Sequence, residues 1–200
     1  MEKCDKTEDS SSANAGQGSD VSNLNDVIVQ LKSEGNKCFR EGNYEDSLVL
    51  YSAGAKICPL EYVEQRAVFF ANRAATNLKL EDFSRVVDDC TVALLLKPDY
   101  LKVLQRRATT LEKLDKFDES LEDYQKILSI EPSNAEARLA VDRLTELVQE
   151  RNEKLKEEML DKLKDVGNLI LKPFGLSTNN FRMVKDEKSG SYSINFVNSS

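Results

Sequence analysis

Five side chains in three stretches carry the chemistry this sequence offers: Lys32, Asn36, Asn72, Lys102 and Arg106. Lys32 and Asn36 are four residues apart, as are Lys102 and Arg106, and on a helix such pairs project from one face about one turn apart. The set supplies ammonium, guanidinium and amide donors and no carboxylate. Its complement is a ligand with two neighbouring carboxylates, such as a peptide's terminal carboxyl and the side chain of a final aspartate. Asn36 and Asn72 can donate to the terminal carboxylate while Lys32, Lys102 and Arg106 form charge-assisted bonds. Taken singly, each cation is an ordinary solvated surface residue. Five inward-facing donors spread over three consecutive units are not explained that way. Arg73 and Arg107 lie one position further round their helices and stay outside the set.

Such donors converge only if three helices lie side by side, and the prolines supply the ruler. Pro59, Pro98 and Pro132 stand 39 and 34 residues apart, the second being the period of the tetratricopeptide repeat, a helix pair that buries its apolar face only by stacking. Gly35, Phe39, Gly42, Tyr44, Ser47, Tyr51, Gly54 and Pro59 follow the order such a repeat uses. The second unit repeats it with Phe70, Ala74, Phe83, Ala93 and Pro98, and the third with Leu104, Ala108, Phe117, Ser120, Tyr124 and Pro132; the match weakens at Asn77 and Val86. The pattern predicts an all-α fold: three tetratricopeptide repeats, at 28–61, 67–100 and 101–134 within a region 23–133, wound into a right-handed superhelix. The first helices would line its concave groove.

Around this core, residues 1–22 are rich in Ser, Asp, Glu and Gly and are expected to be disordered. The first helix is expected to start near Asn23 or Asn25 and end near Arg40, and the second to run from Tyr44 to Cys58. Ser133-Asn134-Ala135-Glu136 has the form of a capping box with Ser133 as the cap, opening a long capping helix over 134–171. Its stretch from Glu150 to Glu158 reads as solvated; apolar spacing resumes at Met159 and ends at Lys172-Pro173-Phe174-Gly175. In the tail, 172–200, Phe181 to Val184 and Tyr192 to Phe196 flank polar residues, predicting a hairpin or a docked extended segment.

Composition excludes several function classes. With 28 basic and 35 acidic residues and a pI near 4.9, a general affinity for nucleic acid or anionic membranes is disfavoured. Histidine and tryptophan are absent, removing the commonest general base and metal imidazole. Cys4, Cys38, Cys58 and Cys90 show no CxxC spacing, so no zinc site or disulfide framework is expected, and Cys38, Cys58 and Cys90 are assigned to core packing. No run approaches the roughly 18 apolar residues of a membrane span, and the chain reads as cytoplasmic. Asp88 with Asp89, and Glu45 with Asp46, are expected on exposed second-helix surfaces where they aid solubility. No cofactor, metal or catalytic residue is assigned, and the protein is not expected to be an enzyme.

The segments Leu31-Lys32-Ser33-Glu34-Gly35-Asn36-Lys37, Ala71-Asn72-Arg73 and Lys97-Pro98-Asp99-Tyr100-Leu101-Lys102, with Arg106, resemble the carboxylate clamp of co-chaperone tetratricopeptide domains. That resemblance implies an adaptor binding the C-terminal Glu-Glu-Val-Asp motif of heat-shock proteins 70 and 90. The tail segments Gly167 to Phe181 and Gly190 to Phe196 resemble the signature of the tetratricopeptide repeat protein 1 family. It implies a second partner class, G-protein α subunits or Ras-type GTPases, and an alternative role as a signalling scaffold engaging them through the cap helix and tail.

Overall fold

The computed structural model describes residues 17–185 and 192–197. The expected disorder of the chain's start therefore lies outside the described residues up to residue 16. Three helix pairs follow one another: α1 (Gln17–Glu41) with α2 (Tyr44–Ile57), α3 (Val63–Lys79) with α4 (Phe83–Leu96), and α5 (Leu101–Lys113) with α6 (Phe117–Ile130). A seventh helix, α7 (Ala135–Leu171), is followed by two short 3-10 turns and the strands β1 (Phe181–Lys185) and β2 (Tyr192–Phe196). α1 begins at Gln17, ahead of the expected Asn23, while the other helix starts fall within a few residues of the sequence reading.

The described residues divide into a first unit ending at Leu144 and a second beginning at Thr145. In the first, each of these six helices packs on its pair partner, α2 packs on α3 and α4 on α5, and α1 also touches α3. Small residues permit this closeness. A Cβ on Gly35 would stand 2.6 Å from the Tyr51 ring, and one on Gly54 would overlap the Phe69 ring. The turns inside the pairs need a left-handed residue: Gly42 supplies it in the first (φ 83°), whereas Glu81 (φ 59°) and Asp115 (φ 56°) adopt it in the second and third, at a steric cost of about 1 kcal/mol each.

Ile28, Tyr51, Ala55, Cys58 and Phe69 form one core cluster beneath the first pair. A larger one runs from Ala74 and Val86 through Val103, Ala108 and Ile127 to Ala137, Ala140 and Leu144 of α7. The start of α7 thus covers the last repeat, as its apolar spacing predicts. The buried hydroxyls are satisfied: Ser47 donates to the Gly35 carbonyl at 3.2 Å and Ser120 to the Ala108 carbonyl at 3.0 Å. The expected cap of α7 is corrected by one residue. Asn134, not Ser133, accepts from the Ala137 N–H at 3.0 Å, and Glu136 is drawn instead to Gln105 at 2.8 Å.

In the second unit, α7 ends where Pro173 removes a backbone donor and Gly175 turns left-handed at φ 69°. The chain then folds back: Asn168 Oδ1 accepts from the Thr178 N–H and hydroxyl at 2.7 and 2.9 Å. Of the two tail expectations, the hairpin is observed. β1 and β2 pair antiparallel with Phe181 opposite Phe196, their rings edge to face at 5.7 Å.

Candidate functional site

The five donors sit on the first helices of the three pairs: Lys32 and Asn36 on α1, Asn72 on α3, Lys102 and Arg106 on α5. The structure joins three of them, Asn36, Asn72 and Arg106, in a row. Asn72 Nδ2 donates to Asn36 Oδ1 at 3.2 Å, and Arg106 Nη1 donates to the carbonyl of Ala71, the neighbour of Asn72, at 2.8 Å. Asn36 Oδ1 also accepts from the Tyr51 hydroxyl at 2.7 Å. With its oxygen engaged twice, the Asn36 amide must turn its NH₂ the other way, leaving that donor for a ligand. Burial is the main cause that pushes the Tyr51 phenol up, so it remains a donor.

Asn72 differs from the simplest expectation, since one of its donor hydrogens is already committed to Asn36. Lys32 is half-buried and Lys102 exposed, and among the described residues neither ammonium has a carboxylate partner. Lys102 and Arg106 line a cavity of about 350 Å³ with Leu78, Gln105 and Thr109. A larger cavity of about 590 Å³ lies between α2, α3 and α4, but its inner charges, Arg73 and Asp89, already neutralise each other. The smaller cavity keeps uncompensated positive charge and is the better anion receptor.

Sequence reading missed a second row beside the first. Arg73 makes a two-pronged contact with Asp89, from Nε at 3.0 Å and from Nη2, and Arg107 does the same with Asp123 at 2.8 and 2.6 Å. Each guanidinium also donates to a hydroxyl of the preceding pair, Arg73 to Ser52 at 3.2 Å and Arg107 to Thr91 at 3.1 Å. Asp89 is therefore not the exposed solubility residue expected: only 4% of it is accessible. Burying it is tolerable because Arg73 and Asn77 satisfy it, the latter donating at 3.0 Å. That contact explains why Asn77 departs from the repeat pattern. The available signal was the identical 16-residue offset of the two Arg–Asp pairs.

Cys58 and Cys90 are buried and Cys38 is partly so, as their packing role requires. Among the described residues no group of Cys, Asp and Glu is arranged to hold a metal ion.

No protein-family profile matches the chain. It is 34% identical over 179 residues to mitochondrial import receptor subunit TOM70 of Rattus norvegicus, a match covering 88% of this chain and 29% of that receptor. The chain thus spans less than a third of that relative's length. The first TPR domain of Spaghetti (RPAP3), bound to HSP90 peptide SRMEEVD, is similar at 30% identity and a TM-score of 0.53, over 61% of this chain and 95% of that one. The second TPR domain of human RPAP3, in complex with HSP70 peptide SGPTIEEVD, is similar at 30% identity and a TM-score of 0.54, over 61% of this chain and 98% of that one.

Proposed function

Because the chain belongs to the tetratricopeptide-repeat family, we propose that it is a non-enzymatic adaptor whose groove captures the acidic C-terminal Glu-Glu-Val-Asp motif of heat-shock protein 70 or 90. The observation that carries this reading is the Asn36–Asn72–Arg106 row, flanked by two ammonium groups without acidic partners. In this reading the free NH₂ of Asn36 and the remaining donor of Asn72 hold the terminal carboxylate. Lys102 and Arg106 hold the aspartate side chain, and Lys32 adds a cation at the α1 end. Similarity to domains whose structures contain such peptides supports it.

A charge-assisted hydrogen bond contributes roughly 1.5–3 kcal/mol when desolvated. Several of them, less the cost of ordering the peptide, correspond to about micromolar affinity, near −8 kcal/mol. The same reading places the protein in the cytoplasm. Among the described residues no helix is long and apolar enough to cross a membrane. The tail supports assigning the chain to the tetratricopeptide repeat protein 1 branch of the family.

The test is calorimetric titration with a Met-Glu-Glu-Val-Asp peptide, as free acid and as C-terminal amide, at low and moderate salt. Binding of the acid, loss with the amide and weakening with salt are expected. Equal binding of the two peptides, or none of either, would rule the clamp out.

A further inference from the structure

From the two Arg–Asp pairs we infer that Asp89 and Asp123 are positioning residues for peptide capture: by anchoring Arg73 and Arg107 they set the roll of α3 and α5 and so aim Asn72 and Arg106 into the groove. This rests on the capture reading above. Asn72 is followed directly by Arg73, and Arg106 directly by Arg107, so groove donor and anchor share a backbone and project about a quarter turn apart. An anchored anchor fixes the donor's direction.

The anchors are rigid. Asp89 and Asp123 are 4% and 3% accessible, and each binds its guanidinium through two nitrogens, a geometry that restrains rotation as well as distance. Each guanidinium also reaches the second helix of the preceding pair, at Ser52 on α2 or Thr91 on α4. One side chain thus ties together its own helix, its pair partner and the previous repeat. Hydrogen bonding to Asp123 is the leading reason that the Arg107 guanidinium holds its proton still more firmly than usual.

The first pair is built differently. The position matching Arg73 holds Glu34, which among the described residues accepts a surface hydrogen bond from Gln30 at 2.8 Å. There the orienting contact falls on the groove residue itself, Tyr51 on Asn36. Every helix that carries a groove donor therefore has one orienting contact from its pair partner.

The geometric leverage is large. Side-chain tips lie roughly 5–6 Å from a helix axis, so a roll of about 20° moves a donor by some 2 Å, well beyond the roughly 0.5 Å that a preorganised site tolerates. Misplacement of that order is expected to reduce affinity about tenfold or more.

The two anchors act on different ligand groups, which gives each a signature that lost stability alone would not produce. With the folded full chain, Asp89→Asn should lower the preference for free acid over C-terminal amide, because α3 aims Asn72 at the terminal carboxylate. Asp123→Asn should instead lower the preference for a final aspartate over a final asparagine, because α5 carries Lys102 and Arg106. Ile127→Ala, a cavity variant in the same core, should lower the melting temperature and leave both preferences unchanged. Wild-type affinity and preferences in both Asp variants would overturn the inference, as would equal changes in the Ile127 variant. The side-chain amide NMR signals of Asn36 and Asn72 report the same aim without peptide: displacement by Asp89→Asn is expected, and unmoved signals would refute it. If the wild-type chain bound no peptide, the capture reading would fail while these signals still decided the positioning role.

Discussion

The same helical period has opposite fates in the two units. In the first, apolar positions at helical spacing are closed over, and Leu144, Val103 and Val86 have no accessible surface. In the second, α7 repeats the spacing through Met159, Leu163, Val166 and Ile170, yet these side chains are 55–70% exposed. Amphipathicity reports that a face can be buried; burial itself depends on small residues that let a neighbour approach. The first unit has them at Gly35, Gly54, Ala74 and Ala108. Between Thr145 and Val166 α7 has no glycine or alanine.

The largest predicted effect tests this contrast. Leu144→Ala should cost about 3 kcal/mol in urea denaturation, the sum of lost transfer energy and the cavity left behind. Leu163→Ala, at a position 68% exposed, should change stability by no more than about 0.5 kcal/mol. Comparable losses at both sites would mean that the α7 stripe is covered in solution, and the distinction would collapse.

Next in size is a binding effect confined to the first unit. Arg106→Ala should weaken capture of the acidic peptide by about 1.5–3 kcal/mol, roughly tenfold to a hundredfold, while Met159→Ala leaves calorimetric affinity unchanged. The Ala71 carbonyl also loses a hydrogen bond in the Arg106 variant, so its stability should fall by about 1 kcal/mol. A peptide insensitive to Arg106 would move the function out of the groove.

These two expectations also show where the sequence was legible. The repeats announced themselves because small residues, aromatics and a closing proline recur in the same order from unit to unit, and a close-packed hairpin tolerates few substitutes there. The placement of Lys32, Asn36, Asn72, Lys102 and Arg106 on first helices was legible for the same reason: once those helices are placed, residues four apart share a face. Asp89 was not, because whether a carboxylate on a second helix points outward or inward depends on a partner sixteen residues earlier on another helix. Nor was the choice of Asn134 over Ser133 as cap, since either side chain can accept the bond and the final turn's geometry selects between them. In the tail, two apolar segments flanking polar residues indicated a hairpin or a docked extended segment, and only the observed pairing of β1 with β2 chooses between them.

A third prediction uses pH to probe the buried side of the contrast. Burial pushes the Cys90 thiol up from 9.0 to about 12, even though Arg106 and Arg107 pull it down. The fold therefore keeps this proton at pH values where the unfolded chain has lost it. Its contribution to stability is intact below about pH 9 and is lost as pH rises toward 12, by up to about 1.4 kcal/mol per pH unit. Cys90→Ala should flatten the alkaline slope of the unfolding free energy by up to that amount, whatever it does to stability at neutral pH. All four cysteines precede Thr145, so an undiminished slope would mean that the core around Cys90 is open to water.

The smallest predicted effect belongs to the second unit, where local hydrogen bonds must do what burial does in the repeats. Asn168 Oδ1 is the acceptor for both donors of Thr178, and the Thr178 methyl stands 2.7 Å from where a Cβ on Gly167 would lie. Asn168→Ala leaves the Thr178 N–H without that acceptor at a cost of about 1 kcal/mol. Because Phe181, Ile194, Phe196 and Val197 of this segment are exposed, the loss should remain local. Amide exchange across residues 176–182 should accelerate by about fivefold, while the urea midpoint of the repeats does not move. A shifted midpoint would show that tail and repeats unfold as one cooperative body, erasing the distinction between a unit held by its core and one held by its contacts.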